Sequence, residues 1–546
     1  MGNDWSTALL VFVIAMAISM AIIPLLIRYA PVLGMMDKPD PRKVHATPIP
    51  RVGGVGIVLG AVLPLALWLP SNDLVQSYLL GALVLLVFGV WDDIKELGHY
   101  VKFVGQFIAV LLVVYHGDLY VSHLPLMGLD PIDETFGRIF TVIAMVGVIN
   151  AINHSDGLDG LAGGESILSL GAIAYLANQA SDNVVVLVAT AAMGGVFGFL
   201  RFNSHPARVF MGDGGSQFLG FTLAFLVVYL TQISNQALSP ALPALLLGLP
   251  VMDILSVFYQ RVKGGMNWFK ATKNHIHHRL LELGFHHYES VIVIYSLQAL
   301  LVLSAVLMPY EADSILLGIY LAICVSIFAS LSVAERRGWR AHGAGAKGVI
   351  SGLANALRPD GALTSIDHKL IQVMLSVFLV MATTTSAQVP GDLAVGASIL
   401  FLLLFARLWF GYRAWFLFLR LILYVAIAFA VYLVEHYPPP FLQSDVLVHR
   451  VFFGVLVLAV AVAVRSSKDE FFQVTPLDYL VVLIVLALAL MSEAGYADFD
   501  IVKFMLQVIV LFYGVEVVIK HMRSRINIFT VSSLASLGVV AIRGIL

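Results

Sequence analysis

Runs of about 20 apolar residues recur along this chain from residue 8 almost to its C-terminus. An α-helix needs about 20 such residues to cross the hydrocarbon core of a bilayer. Of the 546 residues, 60% are hydrophobic and only 12% are charged, too few to cover a water-soluble globule of this size. A transmembrane β-barrel would need alternating polarity instead. We therefore predict an all-α fold, a polytopic helical bundle embedded in a membrane.

The apolar runs predict about eighteen transmembrane helices. The first run is too long for the apolar part of a signal peptide and has no basic segment before it, so we interpret it as a retained span. The predicted spans are 8–29, 53–69, 76–91, 101–115, 138–152, 165–179, 184–201, 216–232, 240–260, 290–309, 313–333, 368–387, 393–408, 414–435, 449–465, 476–492, 501–519 and 527–543.

Lys and Arg accumulate in every second connection between these spans. One set includes "KELGHYVK", "RFNSHPAR" and "AERRGWRAHGAGAKG", whereas the other set includes "NQASDN", "TQISNQALSP" and "QVPGDL". Basic residues favour the cytoplasmic side of a membrane. The alternation therefore predicts an external, periplasmic N-terminus, and a single missed helix would have inverted it.

The longest basic, Gly- and Ala-rich connection covers residues 334–366, and every dense polar motif lies before it. We predict a membrane domain over residues 1–333 with about 11 spans, a cytoplasmic linker over 334–366, and a membrane extension over 367–546 with about seven spans. The extension has no comparable cluster of carboxylates, histidines or glycines, and no role is predicted for it.

Four polar clusters interrupt the apolar pattern at helix ends: "WDDIKELGHYVK", "NAINHSDGLDG", "FNSHPARVFMGDGGS" and "KNHIHHRL". The predicted topology places all four on the cytoplasmic face. Ordinary loops give no reason for acidic and amide side chains to gather on the face that positive charge favours. A site where a charged soluble substrate meets a lipid substrate would gather them.

The first cluster contains the adjacent carboxylates Asp92 and Asp93 at the end of a predicted span. Carboxylates at a helix C-terminus oppose the helix dipole and repel each other, so a divalent metal or cationic side chains would compensate them. Lys102 is a candidate to hold an anionic phosphate. The alternatives are a solvated helix end and a lysine that snorkels to the interface.

The second cluster contributes Asn150, Asn153, Asp156 and Asp159. The two asparagines are three residues apart, so one face of a helix end can carry both amides. The glycines that follow end the helix and let backbone amides approach a ligand. Asp-Gly pairs also form plain turns, which explains one pair but not both together with the asparagines. His154 is interpreted as a spacer.

The third cluster places Asp213 in the Gly-rich turn "MGDGGS" before a span. Such a turn exposes backbone N–H groups, so Asp213 would bind a metal while the helix start receives phosphate; a plain N-cap is the alternative. Phe210 would stack on a base or anchor at the membrane interface.

The fourth cluster carries imidazoles and a guanidinium in a basic loop. Histidines make zinc a fair competitor, but no cysteine lies nearby, and the carboxylates favour an oxygen-ligated ion such as Mg²⁺. Histidine and arginine would then recognise a diphosphate and a sugar. The residues concerned are His275, His277, His278 and Arg279.

In their order, these motifs resemble the polyprenyl-phosphate N-acetylhexosamine-1-phosphate transferase family over roughly residues 8–333. The matching stretches are "HATPIPRVGGVGI", "DDIKEL", "KFVGQ", "NAINHSDGLDGLAGG", "RVFMGDGGSQFLG" and "NHIHHRL". The resemblance implies transfer of a sugar 1-phosphate from a UDP-sugar to undecaprenyl phosphate, dependent on Mg²⁺ or Mn²⁺, with release of UMP. It also implies a bacterial inner-membrane enzyme that initiates a lipid-linked envelope glycan.

One branch of that family, the phospho-N-acetylmuramoyl-pentapeptide transferases, has three consecutive histidines in its loop. Here Ile276 separates His275 from the other two histidines. This departure favours the branch that uses UDP-GlcNAc or a related UDP-N-acetylhexosamine, with the muramoyl branch as the alternative.

The resemblance also implies a role for each candidate. Asp213 and Asn153 would hold the metal, with Asp92 and Asp93 beside it and Lys102 on the lipid phosphate. The nucleotide would contact Asp156, Asp159 and Phe210, and Asn150 would contact substrate. The sugar and diphosphate would contact His275, His277, His278 and Arg279.

Two mechanisms and a rival function class stay open. The lipid phosphate would attack the β-phosphorus directly, or Asp92 or Asp93 would act first as a nucleophile. A secondary transporter would carry its ionisable residues near the bilayer midplane rather than at one end of the spans. Expected partners are the UDP-sugar, the polyprenyl phosphate and membrane lipid, with no nucleic acid, and a homodimer is one assembly open to the chain.

Overall fold

Helices make up almost all of the part of the chain that the structure describes. The computed structural model describes residues 5–37, 47–95, 97–128, 131–265, 274–341, 364–410, 416–439, 446–466, 480, 483–484, 499–520 and 527–545. The strands within these ranges form one antiparallel pair, β1 (Met36–Asp37) and β2 (Ile49–Pro50). The predicted all-α fold is confirmed.

The chain divides into two compact units: residues 1–345 with 475–484, and residues 346–474 with 485–546. The predicted linker over 334–366 lies largely outside the described residues. Described helices of the first unit are α1 (Trp5–Leu33), α2 (Gly53–Trp68), α3 (Asp73–Lys95), α4 (His99–Leu111), α5 (Glu134–Ser155), α6 (Leu161–Gln179), α7 (Asn183–Asn203), α8 (Gly212–Tyr229), α9 (Leu242–Leu246), α10 (Gly248–Lys263), α11 (Ile276–Glu282), α12 (His287–Leu307) and α13 (Asp313–Arg336). Those of the second unit are α14 (Thr364–Thr385), α15 (Gly391–Phe410), α16 (Phe416–His436), α17 (Val446–Ser466), α18 (Phe499–Lys520) and α19 (Ile528–Ile545).

Ten of the described helices are long and apolar enough to cross a membrane. Each predicted span overlaps a described helix except 476–492, which lies almost wholly outside the described residues. Helices α4 and α8 each continue into a π-helical turn, Leu112–His116 and Leu230–Ser234 respectively. The chain is a multi-pass, all-α membrane protein.

The predicted single span over 240–260 is wrong, because two helices, α9 and α10, cover it and meet at Leu247. Pro250 lies in the first turn of α10. In a helix that continued through Leu247, residue 250 would donate its N–H to the carbonyl of Leu246, but proline has no N–H and its ring would clash with that carbonyl. Gln298 from α12 bonds the broken backbone, since its side chain accepts from Leu249 N–H at 3.1 Å and donates to Leu246 O at 3.0 Å.

Helix α8 lies at the centre of the first unit, packed against α2, α3 and α5, and it is almost entirely buried. Its first turn meets two neighbouring helices backbone to backbone. A Cβ on Gly54 of α2 would lie 2.2 Å from Gly215 N, and a Cβ on Gly89 of α3 would lie 2.2 Å from Gly214 Cα. Only glycine permits these contacts, so they fix where α8 begins.

Candidate active site

Three carboxylates meet where α3 ends and α8 begins. Asp92 and Asp93 in the last turn of α3 are only 4% and 7% exposed, and Asp213 lies in the first turn of α8. One oxygen from each carboxylate lies within 4.8 Å of the other two. We call these three residues the carboxylate cluster.

The backbone at the start of α8 brings Asp213 to α3. Gly212 has φ +70°, and a Cβ there would lie 2.5 Å from Asp93 Oδ2, so glycine alone fits both the conformation and the space. The N–H of Asp213 then donates to Asp93 Oδ1 at 3.3 Å. The "MGDGG" sequence thus places two carboxylates side by side.

A single ammonium group lies within this cluster. Lys102 Nζ lies 2.8 Å from Asp92 Oδ2 and 2.7 Å from Asp213 Oδ2. The charge of Arg51 also acts on Asp93, but two cations do not balance three carboxylates, and Asp92 Oδ1 is buried with no hydrogen-bond partner of ordinary geometry among the described residues. An oxygen-rich donor set with an unpaired buried oxygen fits a hard divalent cation such as Mg²⁺.

Side-chain amides surround Asp213. Asn153 Nδ2 donates to Asp213 Oδ1 at 3.3 Å and to Ser216 Oγ at 2.8 Å. Gln217 Nε2 donates to Asp213 Oδ2 at 3.2 Å. The structure therefore brings Asn153 and Asp213 together, and their role as metal ligands stays a prediction.

A second layer of amides continues away from the carboxylates. Gln106 of α4 donates to Gln217 Oε1 at 3.3 Å, and Asn150 Nδ2 donates to Gln106 Oε1 at 2.8 Å. Asn150 is thereby committed to a neighbouring helix rather than directed at the carboxylates. Neither glutamine is among the residues predicted from the sequence, although isolated amides in the apolar stretches "KFVGQF" and "GGSQFL" are a recognisable signal.

The turn after α5 carries Asp156, which lies outside the membrane-spanning helices. Burial, followed by the negative charges of Asp213 and Asp159, raises the pKa of the Asp156 carboxyl to about 7. Part of its surface is still accessible. Near neutral pH this carboxyl therefore exists in both protonation states.

Asp159 belongs to a different group of side chains. Its partners His205 and His287 are not among the residues predicted from the sequence. Its Oδ2 lies 2.7 Å from His205 Nδ1 and accepts from Ala207 N–H at 3.0 Å, while its own N–H donates to His287 Nε2 at 2.9 Å. The rings of His205 and His287 stack with centroids 4.3 Å apart and planes 21° apart. No single ion can lie near the plane of both stacked rings, so this group fits a hydrogen-bonded link between loops better than a metal site.

A buried hydrogen-bond chain links the "DGLDG" turn to the loop before α8. Gly160 N–H donates to Asn203 Oδ1 at 2.7 Å, and Asn203 Nδ2 donates to Val209 O at 2.8 Å. From α12, the Tyr295 hydroxyl donates to Gly160 O at 2.7 Å. These three side-chain contacts fix the turn relative to the carboxylate cluster.

Phe210 joins the "PIPRVGG" stretch through its backbone. Its N–H donates to Pro50 O at 2.8 Å, and its carbonyl accepts from Gly53 N–H at 3.0 Å. Phe210 is partly exposed and lies two residues before the start of α8. Its predicted contact with the nucleotide stays a prediction.

Four imidazoles line up at the start of α11. Ring centroids are 5.4 Å apart between His154 and His275, 5.7 Å between His275 and His277, and 4.3 Å between His277 and His278. We call these four residues the histidine row. The structure thus makes His154 a member of the row, where the sequence suggested a spacer.

The row also touches the "DGLDG" turn. A Cβ on Gly157 would lie 2.4 Å from His277 Nε2, so only glycine leaves room for this ring. Burial, and then the neighbouring imidazoles, lower the pKa of His277 well below its usual value. His277 is therefore neutral at pH 7 and can offer one donor and one acceptor to a ligand.

The side chain of Arg279 does not join the histidine row. Its Nε lies 2.7 Å from Glu335 Oε1 and its Nη2 lies 3.0 Å from Oε2, while Nη2 also donates to Ser332 at 3.3 Å. The pair lines a cavity of about 580 Å³ together with Tyr259 and Phe328. The structure commits this guanidinium to α13, so its predicted contact with the diphosphate stays a prediction.

Comparison with known proteins gives the same family throughout. The model of glycosyl transferase family 4 matches residues 75–231. The probable undecaprenyl-phosphate N-acetylglucosaminyl 1-phosphate transferase of Bacillus subtilis (strain 168) is 31% identical over 333 residues, which is 60% of this chain and 91% of that protein. The undecaprenyl-phosphate alpha-N-acetylglucosaminyl 1-phosphate transferase of Escherichia coli (strain K12) is 28% identical over 51% of this chain and 78% of its own. The decaprenyl-phosphate N-acetylglucosaminephosphotransferase of Mycobacterium tuberculosis (strain CDC 1551 / Oshkosh) is 31% identical over 56% and 84% respectively.

Proposed function

Because the chain belongs to glycosyl transferase family 4, with the polyprenyl-phosphate N-acetylhexosamine-1-phosphate transferases, we propose that it transfers N-acetylglucosamine 1-phosphate from UDP-N-acetylglucosamine to undecaprenyl phosphate. An oxygen of the lipid phosphate attacks the β-phosphorus, the bond from that phosphorus to the bridging oxygen breaks, and UMP leaves. The observation that carries this proposal is the carboxylate cluster with its single ammonium group.

Asp213 and Asn153 would hold a Mg²⁺ or Mn²⁺ ion, with Asp92 and Asp93 beside it. When bound, the ion supplies positive charge that stabilises the developing charge on the transferred phosphoryl group and on UMP. The close approach of the three carboxylates and the unpaired Asp92 Oδ1 support this assignment.

Lys102 has two carboxylate partners and is the ammonium available to a lipid phosphate at this point. We assign it to orient that phosphate for in-line attack, since phosphoryl transfer depends mainly on positioning and charge neutralisation. The two-step alternative uses Asp92 or Asp93 as a nucleophile. Both aspartates lie within the cluster, so chemistry must decide between the schemes.

The nucleotide would lie against the "DGLDG" turn and Phe210. Asp156 lies in this turn, and its carboxyl group is partly protonated at neutral pH. Asp159 would act by pinning the turn to the loop that contains His205. The histidine row would contact the sugar and the diphosphate.

We assign the carboxylate cluster to the cytoplasmic face of a bacterial inner membrane, where a UDP-sugar is available. The alternation of basic connections supports this orientation, together with an external N-terminus and eighteen spans. The product would be the first lipid-linked intermediate of an envelope glycan. Residues 334–366 would form a cytoplasmic linker, and residues 367–546 an additional membrane domain of the same enzyme.

The names of the relatives favour this reaction over muramoyl-pentapeptide transfer and over solute transport. The test is UMP release by the purified full-length protein with undecaprenyl phosphate and Mg²⁺, using UDP-GlcNAc, UDP-GalNAc and UDP-N-acetylmuramoyl-pentapeptide as donors. We expect release with UDP-GlcNAc, and none without lipid phosphate or in EDTA. Release with the pentapeptide donor alone, or solute uptake into vesicles without UMP release, would contradict the proposal.

The same preparation separates the two mechanisms. Incubation with UDP-GlcNAc and Mg²⁺ but no lipid phosphate leaves the protein mass unchanged if attack is direct. A stable mass increase by one phosphosugar, localised to Asp92 or Asp93, would establish the two-step scheme.

A further inference from the structure

Asp253 is a buried carboxylate in the apolar stretch "GLPVMDILSVF" of α10, and only 6% of it is exposed. Both of its oxygens are used. Oδ2 lies 2.8 Å from His275 Nδ1, and Oδ1 accepts from Ile276 N–H at 2.9 Å. One carboxylate thus holds both the first ring of the "HIHH" motif and the backbone that starts α11.

The hydrogen bond to Nδ1 determines the state of the ring. An ionised carboxylate only accepts hydrogen bonds, so the proton between Asp253 and His275 is on Nδ1. The neutral ring then has its lone pair on Nε2. When Nε2 also takes a proton, the ring becomes a cation that the Asp253 carboxylate stabilises, as the carboxylate of a hydrolase triad stabilises its imidazolium.

His275 is itself 7% exposed and lies between the rings of His154 and His277. Its Nε2 makes no hydrogen bond within the part of the chain that the structure describes. A half-turn flip of the ring would place Cδ2 instead of Nδ1 opposite Asp253 and would disturb two stacked neighbours. The geometry therefore leaves Nε2 as the atom of His275 that a ligand can reach.

We propose that Asp253 is a positioning residue, which fixes the tautomer and orientation of His275 so that Nε2, when it takes a proton, donates to a phosphoryl oxygen of the sugar nucleotide. This inference rests on the proposed function for the identity of the ligand, but not for the state of the ring. Asp253 acts through His275 and touches no substrate itself.

Asp253→Asn separates the two hydrogen bonds of the side chain, the one to His275 and the one to Ile276. The amide oxygen still accepts from Ile276 N–H, so the start of α11 is retained, whereas the amide NH₂ donates to Nδ1 and moves the ring proton to Nε2. Asp182→Asn is the matched control, because Asp182 also accepts a backbone N–H at a helix start, from Val185 at 3.1 Å, but has no histidine partner.

The first readout is the ¹⁵N NMR signature of the His275 ring in the full-length protein without substrate, assigned by its loss in His275→Gln. We expect the Nδ1–H tautomer in the wild type and in Asp182→Asn, and the Nε2–H tautomer in Asp253→Asn. A wild-type ring that is protonated on Nε2 only, or a ring unchanged by Asp253→Asn, would overturn the inference whatever the enzyme catalyses.

The second readout is a double-mutant cycle of UMP release with Asp253→Asn and His275→Gln. We expect Asp253→Asn to lower kcat by about 10-fold to 100-fold with KM for the donor changed by less than about threefold, because the lost interaction strengthens in the transition state. In the His275→Gln background, Asp253→Asn should change kcat by less than about twofold. Equal losses in both backgrounds would show a merely structural role and overturn the proposal.

The two readouts also separate this inference from the proposed function. A wild-type protein that releases no UMP from any donor refutes the proposed function. The tautomer experiment still decides whether Asp253 positions His275.

Discussion

The carboxylate cluster and the histidine row are held in place by different forces. Long helices supply the carboxylates, and the first turn of α8 touches α2 and α3 backbone to backbone at Gly54 and Gly89. Helix α11 and the residue before it supply three of the four imidazoles. Asp253 bonds the first of these rings and the backbone N–H at the start of the helix. Packing therefore fixes the charges that a metal would need, whereas hydrogen bonding fixes the groups that would meet the sugar and diphosphate.

We expect the largest effect when a charge is removed from the carboxylate cluster. Asp213→Asn keeps the shape and the backbone bond to Asp93 but loses the carboxylate, so we expect UMP release to fall by about 10³-fold, the loss typical for a group that stabilises transition-state charge. Steady-state assays at saturating Mg²⁺ measure it.

The control for that variant is Asp133→Asn, where the altered side chain caps the start of α5 through Phe136 N–H. It should keep wild-type activity. Retention of more than a tenth of the activity by Asp213→Asn would contradict its place at the metal.

Lys102→Gln tests the ammonium group of the cluster. The substitution removes the ion-pair partner of Asp92 and Asp213 and the predicted contact with the lipid phosphate, so we expect about a 100-fold loss in kcat/KM for undecaprenyl phosphate. Kinetics over a range of lipid concentrations locate the loss. Unchanged kinetics would favour a lysine that merely snorkels to the interface.

Gly89→Ala tests whether backbone contact fixes the carboxylates. The new Cβ would overlap Gly214 Cα, and overpacking of this kind costs about 1–3 kcal/mol, so we expect a lower thermal midpoint and about a 10-fold loss of activity. Gly98→Ala is the matched control, because no heavy atom of the described residues, apart from its own and those of its chain neighbours, lies within 4 Å of its Cβ position. Equal behaviour of the two variants would refute backbone control.

Hydropathy predicted the helices of the first unit well, because a span needs only a run of apolar residues and tolerates boundary errors. It failed at Leu247, where a local proline effect broke one run into α9 and α10. It also could not show that α8 is the central helix, since glycine contacts between helices depend on register between distant segments.

Motif reading found the carboxylate cluster, because chemistry concentrates Asp, Asn and Gly in short stretches. It missed the side chains that hold the site from other helices, notably Asp253, Asn203 and Tyr295. Each acts through one or two hydrogen bonds to residues 6 to 135 positions away in the sequence. A lone carboxylate in an apolar helix, as at Asp253, is the one such signal that sequence offers.

A smaller effect concerns the turn between the two regions, and its sign follows from the pKa of Asp156. Below about pH 4 the carboxyl is protonated in both the folded and the unfolded protein, and above about pH 7 it is ionised in both. Between these values it ionises more readily in the unfolded protein, so the folded protein becomes less stable as the pH rises. In EDTA, we expect the unfolding temperature of Asp156→Asn to lie closer to that of the wild type at pH 5 than at pH 8, because the larger part of the destabilisation develops above pH 5. At pH 8 the variant should be more stable by on the order of 1–2 kcal/mol, since partial exposure reduces the full effect.

Thermal midpoints of both proteins between pH 5 and pH 8 measure this difference. A variant that is less stable than the wild type at pH 8 would show that the ionised carboxyl has a favourable partner in the turn.

The smallest effect is expected at the end of the histidine loop. Arg279→Lys should keep UMP release within about threefold of the wild type, because the guanidinium pairs with the partly exposed Glu335 and such pairs contribute little. Glu335→Gln is its control and should behave alike. A loss of more than 10-fold in Arg279→Lys alone would restore the predicted contact between Arg279 and the diphosphate.

The glycine contacts of α8 also bear on how the enzyme responds to its lipid surroundings. Membrane helices adjust to bilayer thickness by tilting, and sites built from long side chains on separate helices change their spacing as they do so. Here Gly214 and Gly215 in the first turn of α8 touch the backbone of α3 at Gly89 and of α2 at Gly54, so contact between main chains sets the spacing of the helices that carry Asp93 and Asp213. Such a site keeps its dimensions as the thickness of the membrane varies.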